Sequence, residues 1–278
     1  MRTASATTWE QVDALDAGRA FLDRSAGRAL SVGGADARGW LGDLVTADIA
    51  TLRPGIARRS LLLTATGRIQ ADLLIAATGA DSFLVVQSAD QPSSVADVLR
   101  PYVLSSAVRL DDVTGSVAVF VLPGPVEIVA GPLADRPALV RSTVERGYRE
   151  VSEAAWEIWR VGAGDPRMGA DFGPGDLPAE AGLERLIDLE KGCFLGQESV
   201  AKVRNLGHPP TVLRHLRAGP GVAAGTPVLD EAGTGVGRVT SAAPGRDGGT
   251  VLIARVSWSA SEAALSPSGG APGLDPPW

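Results

Sequence analysis

The sequence predicts an α+β fold that ends in a small all-β region. Strand-like and helix-like segments follow one another without the strict alternation of a doubly wound parallel sheet. From Thr211 onward, short apolar runs alternate with glycine-rich turns. The chain has 278 residues, 45% of them apolar and 21% charged, so it is large enough for two or three packed units around real cores.

Each element has its own local reason. Ala35 to Val45 reads as a short helix, because Trp40, Leu41 and Leu44 share one side. Arg58 to Ala65, Ile69 to Ala77 and Phe83 to Gln87 read as consecutive strands, separated by Thr66-Gly67 and by Thr78-Gly79-Ala80-Asp81. Asp90 is positioned to cap a helix running to Val103, with Pro92 in its first turn. Val117 to Leu122 is an apolar strand halted by Pro123-Gly124-Pro125. Ala154 to Arg160 fits a helix or a strand equally. Pro178 opens a predicted helix with Leu183, Leu186 and Ile187 on one face, closing at Asp188–Lys191. Val212–Leu216, Pro227–Leu229, Gly235–Val239 and Val251–Val256 are the strands of a small antiparallel barrel or sheet. The division expected is an α+β region over 1–210, a β-barrel over 211–258 and a disordered, proline-rich tail over 259–278.

Twenty-six basic residues against thirty-two acidic ones leave a net charge of −6. A global electrostatic grip on nucleic acid or anionic lipid is not expected. The most apolar stretch, Val117 to Ala134, is broken by Pro123, Pro125, Pro132 and Glu127, so no spanning helix is expected there. Glu10, Asp13 and Asp16 occupy the place of a signal peptide's apolar run, and one cysteine makes no internal disulfide; a reducing cytoplasm is the expected compartment.

Two lysines stand against twenty-four arginines, and both lysines fall in one segment. Lys191, Cys193, Lys202, His208 and His215 lie within twenty-five residues. Gly192 and Gly196 flank Cys193 and Gln197 and allow close backbone approach. Lys191 favours a thiolate if both side chains turn the same way, whereas the plainer role for a lone cysteine is packing. Cys193, His208 and His215 lack the spacing of a structural zinc site. Lys202 and Arg204 suit a carboxylate-bearing ligand, whereas Arg214 and Arg217 suit a solvated strand face. Asp72 shares a strand face with Gln70 and Leu74, so it is either partly buried and in need of a donor or exposed on an edge. Gly233-Thr234-Gly235-Val236-Gly237 reads as a β-turn rather than a phosphate loop.

Lys191-Gly192-Cys193-Phe194-Leu195-Gly196-Gln197-Glu198 resembles the signature of the YgfZ proteins, folate-binding relatives of the glycine-cleavage T-protein. Gly34-Ala35-Asp36-Ala37, Trp40-Leu41, Thr46-Ala47-Asp48, Arg160 to Gly164, Pro178 to Leu183 and Asn205 to Pro210 extend the resemblance over roughly residues 28–258. The aminomethyltransferase's Lys-Gly-Asp is here Lys191-Gly192-Cys193, and its Gly-Tyr-Thr-Gly-Glu segment is absent. Gly162 replaces the glutamate of its Arg-Leu-Glu-Ala-Gly run, while Asp72 stands at the folate-side aspartate.

The resemblance implies three lobes around a folate-sized opening, two α+β and the last a small β-barrel. It implies a tetrahydrofolate cofactor, or a one-carbon derivative, held by Asp72, Arg160, Glu180, Lys191, Gln197, Lys202 and Arg204. Cys193 is then a functional thiol near that pocket. The expected role is an accessory factor for iron–sulfur protein assembly or repair, with client or assembly proteins as partners. A folate-dependent aminomethyl transferase and a tRNA-modification accessory are the alternatives. A single thiol holds no cluster alone, so any cluster contact is shared.

Overall fold

The structure, a computed structural model, describes residues 5–123, 126–260 and 265–267. In chain order the helices are α1 (Ala6–Asp16), α2 (Ala37–Gly42), α3 (Val95–Leu99), α4 (Arg136–Glu145), α5 (Glu153–Gly162) and α6 (Gln197–Leu206). The strands are β1 (Ala20–Asp23), β2 (Arg28–Gly33), β3 (Ala57–Leu63), β4 (Ile69–Gly79), β5 (Ser82–Gln87), β6 (Arg109–Asp112) and β7 (Val117–Leu122). They continue with β8 (Glu127–Pro132), β9 (Arg149–Val151), β10 (Thr211–Ala218), β11 (Pro227–Leu229), β12 (Gly235–Pro244), β13 (Thr250–Ser257) and β14 (Ser266–Pro267).

These strands form three sheets, ordered β8-β7-β1-β9, β3-β4-β5-β2-β6 and β10-β13-β12-β11-β14. All pairings are antiparallel except β1 with β9. The first two sheets are interleaved in sequence. The chain lays down β1, leaves to build β2–β6, and returns with β7–β9.

The β3-β4-β5-β2-β6 sheet buries one face under α2 and α3, where Leu30, Trp40, Leu41, Leu62, Leu73, Ile75, Phe83 and Leu99 meet. Its other face is divided. At one end Ala57, Leu74, Ala76, Leu84 and Val86 pack on Val119 and Ile128 of β7 and β8. At the other, Leu61, Leu63 and Ile69 pack on Met168, Phe172, Ala181, Leu183 and Phe194. Each such large side chain contributes about 1.5–3 kcal/mol of burial. Between the two patches sit Arg59 and Asp72.

Strands β3, β4, β5, β7, β10, β11 and β13 fall within a few residues of the sequence expectation, and the ambiguous 154–160 segment is a helix, capped by Ser152. Two expected helices are corrected. The one from Asp90 to Val103 starts later, at Val95, because Ser94 Oγ caps Ala96 N while Asp90 pairs with Arg167; its end agrees, since α3 runs on into a tighter helical turn at Arg100–Tyr102. The one opened by Pro178 reduces to a single turn at Glu184–Leu186. Gly182 takes φ +63 and Ile187 is extended, so the helical path breaks on both sides of that turn.

The last sheet is five-stranded and antiparallel, and α5 packs on it through Val161 against Ala243 and Ile253. Much of the expected tail, 259–278, lies outside the described residues. Its described part is ordered: Trp258–Ala260 makes a helical turn, and Ser266–Pro267 pairs with β11. The Gly233 region is the expected turn, closing β11 onto β12.

His215, on β10, is buried, and burial pushes its imidazole below the usual 6.5. Arg217 acts the same way, and a hydrogen bond with the Val161 backbone opposes them. The unfolded chain therefore binds a proton near pH 6.5 that the folded chain resists. Stability is expected to fall as the pH drops through that value and to level off below the native pKa. Thermal unfolding across this range, with His215→Gln as comparison, checks it: the variant should lose that part of the slope.

Candidate functional site

The eight-residue signature is a bend between two anchors. Phe194 is buried against Leu61, Leu63 and Ile69, and Leu195 N donates to the Asp43 carbonyl at 2.9 Å. Gln197 Oε1 accepts from Phe194 N at 3.3 Å and closes the bend at the start of α6. Gly196 has φ +86, and a Cβ there would lie 2.4 Å from the Thr64 carbonyl oxygen. The bend thus rests backbone to backbone on the β3–β4 hairpin, and Ser199 Oγ adds a hydrogen bond to the Ala65 carbonyl. These anchors leave Cys193 exposed. Lys191 turns away from it: its Nζ donates to the Gly42 carbonyl and lies 5.4 Å from the Phe194 ring centroid. Burial lowers the Lys191 pKa, opposed by Asp48, Asp43 and Asp188.

A cleft of about 750 Å³ lies beside this bend. That is within the range of small-molecule sites, about 300–1,000 Å³. One wall is Ile56 to Arg59 of β3 and the residues before it, another the 185–190 strap, and Ala47, Asp48, Val126 and Arg204 complete it. Thr46 Oγ1 donates to the Leu186 carbonyl at 2.9 Å, and Asp188 N donates to the Thr46 carbonyl at 3.0 Å, which pins the strap.

Most charges in the cleft are already matched. Arg58 faces Asp48, Arg185 donates to Asp165, and Asp188 Oδ1 caps the turn by accepting from Glu190 N and Lys191 N. All three guanidinium nitrogens of Arg59 donate. Its Nε and Nη2 donate to the two Asp72 oxygens at 2.9 and 2.7 Å, and its Nη1 to both Asp165 oxygens at 2.8 and 3.0 Å. Nη2 also donates to the Pro166 carbonyl at 2.7 Å. Burial lowers the Arg59 pKa, but Asp72 and Asp165 outweigh it and hold the guanidinium above its ordinary value. The side chains of Arg204 and Glu190, both exposed, make no ion pair or hydrogen bond among the described residues.

Three residues expected on the ligand are occupied otherwise. Asp72 is on the expected strand face, but Arg59 supplies its donors and it does not line the cleft. Arg160, 2% exposed, spends its five N–H groups within the protein: on Glu157 twice, the Asp165 carbonyl, Asp171 and Ser241. Glu180 accepts from Leu177 N at 2.9 Å and Thr211 Oγ1 at 3.0 Å, with Arg255 nearby at 3.9 Å. All three belong to an ionic web tying the β3–β4 hairpin, the 165–180 segment and the last sheet together. Thr240 and Arg255 extend that web to Asp171 and Asp176.

Of the other expected residues, only Arg204 borders the cleft. Lys191 and Gln197 build the bend, Lys202 is exposed on α6, and Cys193 lies outside the cleft lining. His208 stacks on Trp258 at 5.1 Å, apart from the buried His215. The residues that sequence reasoning missed are Arg58, Arg59, Arg185 and Glu190. The signal for the first two was an Arg58-Arg59 pair opening an otherwise apolar strand.

Comparison with known proteins agrees with this architecture. The GCVT N-terminal domain matches residues 2–129. A protein of Arabidopsis thaliana described as a chloroplastic transferase is 24% identical over 86% of this chain, and the match spans 65% of that protein's length. An uncharacterised protein of Haemophilus influenzae is 26% identical over 67% of this chain and 69% of its own. The aminomethyltransferase of Streptomyces avermitilis is 26% identical over 77% of this chain and 72% of its own. The crystal structure of the glycine cleavage system aminomethyltransferase T of Bartonella henselae superposes with a TM-score of 0.77 at 20% identity, covering 96% of this chain and 87% of that one. That likeness shows a shared fold. Taken together, these findings show that residues 2–129 match the GCVT N-terminal domain and that the chain shares the fold of a glycine cleavage aminomethyltransferase T.

Proposed function

We propose that this protein binds a reduced folate in the cleft and serves as an accessory factor in iron–sulfur protein assembly or repair. The observation that supports it is the cleft itself: its volume is about 750 Å³, and the side chains of Arg204 and Glu190 in its lining make no ion pair or hydrogen bond among the described residues. A folate has the matching polarity, since its glutamyl carboxylates need a cation and its pterin N–H groups need an acceptor. Aminomethyltransferases of the same fold class support the choice of ligand. The iron–sulfur role rests on the signature resemblance together with the exposure of Cys193 at the tip of a well-anchored bend.

Calorimetric titration with 5-formyltetrahydrofolate tests the binding. Arg204→Gln is expected to weaken it about fivefold to tenfold, the scale of one partly exposed charge-assisted hydrogen bond. Cys193→Ala is expected to leave affinity within twofold while abolishing rescue of iron–sulfur enzyme activity in a deficient cell. If no reduced folate binds, the central element of the proposal is gone.

Aminomethyl transfer is the second reading, favoured by the similarity to the Streptomyces avermitilis enzyme over 77% of this chain. It requires turnover of a methylene folate with an amine acceptor. The bidentate grip of Arg59 on Asp72 weighs against it, because that carboxylate is already paired and does not line the cleft where a folate amine would lie.

A further inference from the structure

Resting on the folate reading, the geometry points to Arg59 as a stacking platform for the ligand's bicyclic ring, with Asp72 a positioning residue that acts only through Arg59. All three guanidinium nitrogens of Arg59 are held, Nε and Nη2 by Asp72, Nη1 by Asp165, and Nη2 also by the Pro166 carbonyl. Arg59 nevertheless lines the cleft, and 22% of its side chain is exposed. With all three nitrogens engaged, it presents a flat face and an aliphatic stem rather than a donor. A planar conjugated ring is the chemistry that uses such a surface, by π-stacking and cation–π attraction.

The fold also orients the ligand. Arg204 lines both the cleft and a second, smaller pocket that Gly67, at the turn of the β3–β4 hairpin, also lines. Arg59 lies four residues back from Leu63, the last residue of β3, which is about 13 Å along a strand. The carboxylate tail therefore belongs at the hairpin end with Arg204, and the ring belongs deeper, over Arg59. Arg58, beside it, faces Asp48 and has its own partner. Asp72 and Asp165 fix the plane of Arg59 from two elements, β4 and the segment after α5, so the platform is rigid before any ligand arrives.

The test compares two ligands, 5-formyltetrahydrofolate and p-aminobenzoylglutamate, which keeps the tail and lacks the bicyclic ring. Arg59→Lys keeps the charge and removes the flat face; Asp72→Asn keeps the shape and loosens the clamp. Each is expected to weaken the full ligand about threefold to thirtyfold, the range of a cation–π contact from exposed to desolvated. Each should leave the fragment within twofold, and the double variant should add little to Arg59→Lys alone. Equal losses for both ligands, as misfolding would produce, overturn the inference. So does unchanged binding of the full ligand to Arg59→Lys. Failure of the wild type to bind either ligand removes the folate reading, and the platform with it.

Discussion

Replacing Arg160 with alanine is expected to cost about 3–5 kcal/mol of unfolding free energy, the scale of breaking a buried ion pair from one side. The Arg160 and Asp171 side chains are 2% and 0% exposed and meet at 2.8 Å, so Asp171 would remain charged and buried with its principal cation gone. Thr240 Oγ1 at 2.6 Å and the Arg167 backbone N–H at 3.0 Å would still donate to it, which keeps the loss near the lower bound if the loop relaxes. Ser241 Oγ and the Asp165 carbonyl would lose donors as well. Arg160→Lys should recover only part of the loss, since one ammonium cannot serve acceptors on four residues around a planar fork. Urea unfolding of the three proteins measures this. A loss below about 1 kcal/mol for the alanine variant would show that the web is no more than a surface arrangement. Folate affinity of the folded fraction should be unaffected, because Arg160 is not in the cleft lining.

Gly196→Ala is the second large effect, expected to destabilise the protein by about 2–4 kcal/mol from a left-handed backbone plus overpacking. Its φ of +86 disfavours any side chain, and the added methyl would sit 2.4 Å from the Thr64 carbonyl oxygen and 3.1 Å from Gly67 Cα. Both contacts are backbone, so no rotamer change can relieve them. The strain should move the start of α6 away from the hairpin, carrying Phe194 partly out of its pocket and Arg204 away from the cleft. Chemical denaturation reads the first effect and folate titration the second. A variant as stable as wild type, with unchanged folate affinity, would mean that this close approach is absent in solution. Gly192→Ala is the informative comparison: φ is +111 there, but nothing stands within 4 Å of the new methyl. Its cost should be that of the backbone alone.

The strands were legible because apolar alternation and Gly turns are local signals. The helix expected after Pro178 was not, because Gly182 and the capture of Glu180 by Thr211 override a plausible apolar face through contacts that sequence does not display. The site shows the same limit more sharply. Asp72 and its strand face could be read, yet its partner could not. A bulge between Leu62 and Leu63 shifts the hairpin register so that Asp72 sits opposite Leu61 and diagonal to Arg59. An unbulged pairing continued from Leu63 and Ile69 would set Asp72 opposite Ser60, turning Arg59 to the other face. One inserted residue therefore decides whether that carboxylate meets Arg59. Arg160 and Glu180 misled for a different reason: a buried charged residue in a motif signals that something must neutralise it, without saying what.

The return of the chain to its first sheet bears on how the protein is made and cut. Strand β1 finds its antiparallel neighbour only when β7 has emerged, nearly one hundred residues later, and its parallel neighbour β9 later still. During synthesis, at about 5–20 residues per second, the β2–β6 sheet can close while the first strand waits unpaired. A fragment stopped at residue 129, where the GCVT N-terminal match ends, would contain β1 without β9 and α1 without the helix it rests on. The stretch that matches the GCVT N-terminal domain therefore does not coincide with a unit of folding.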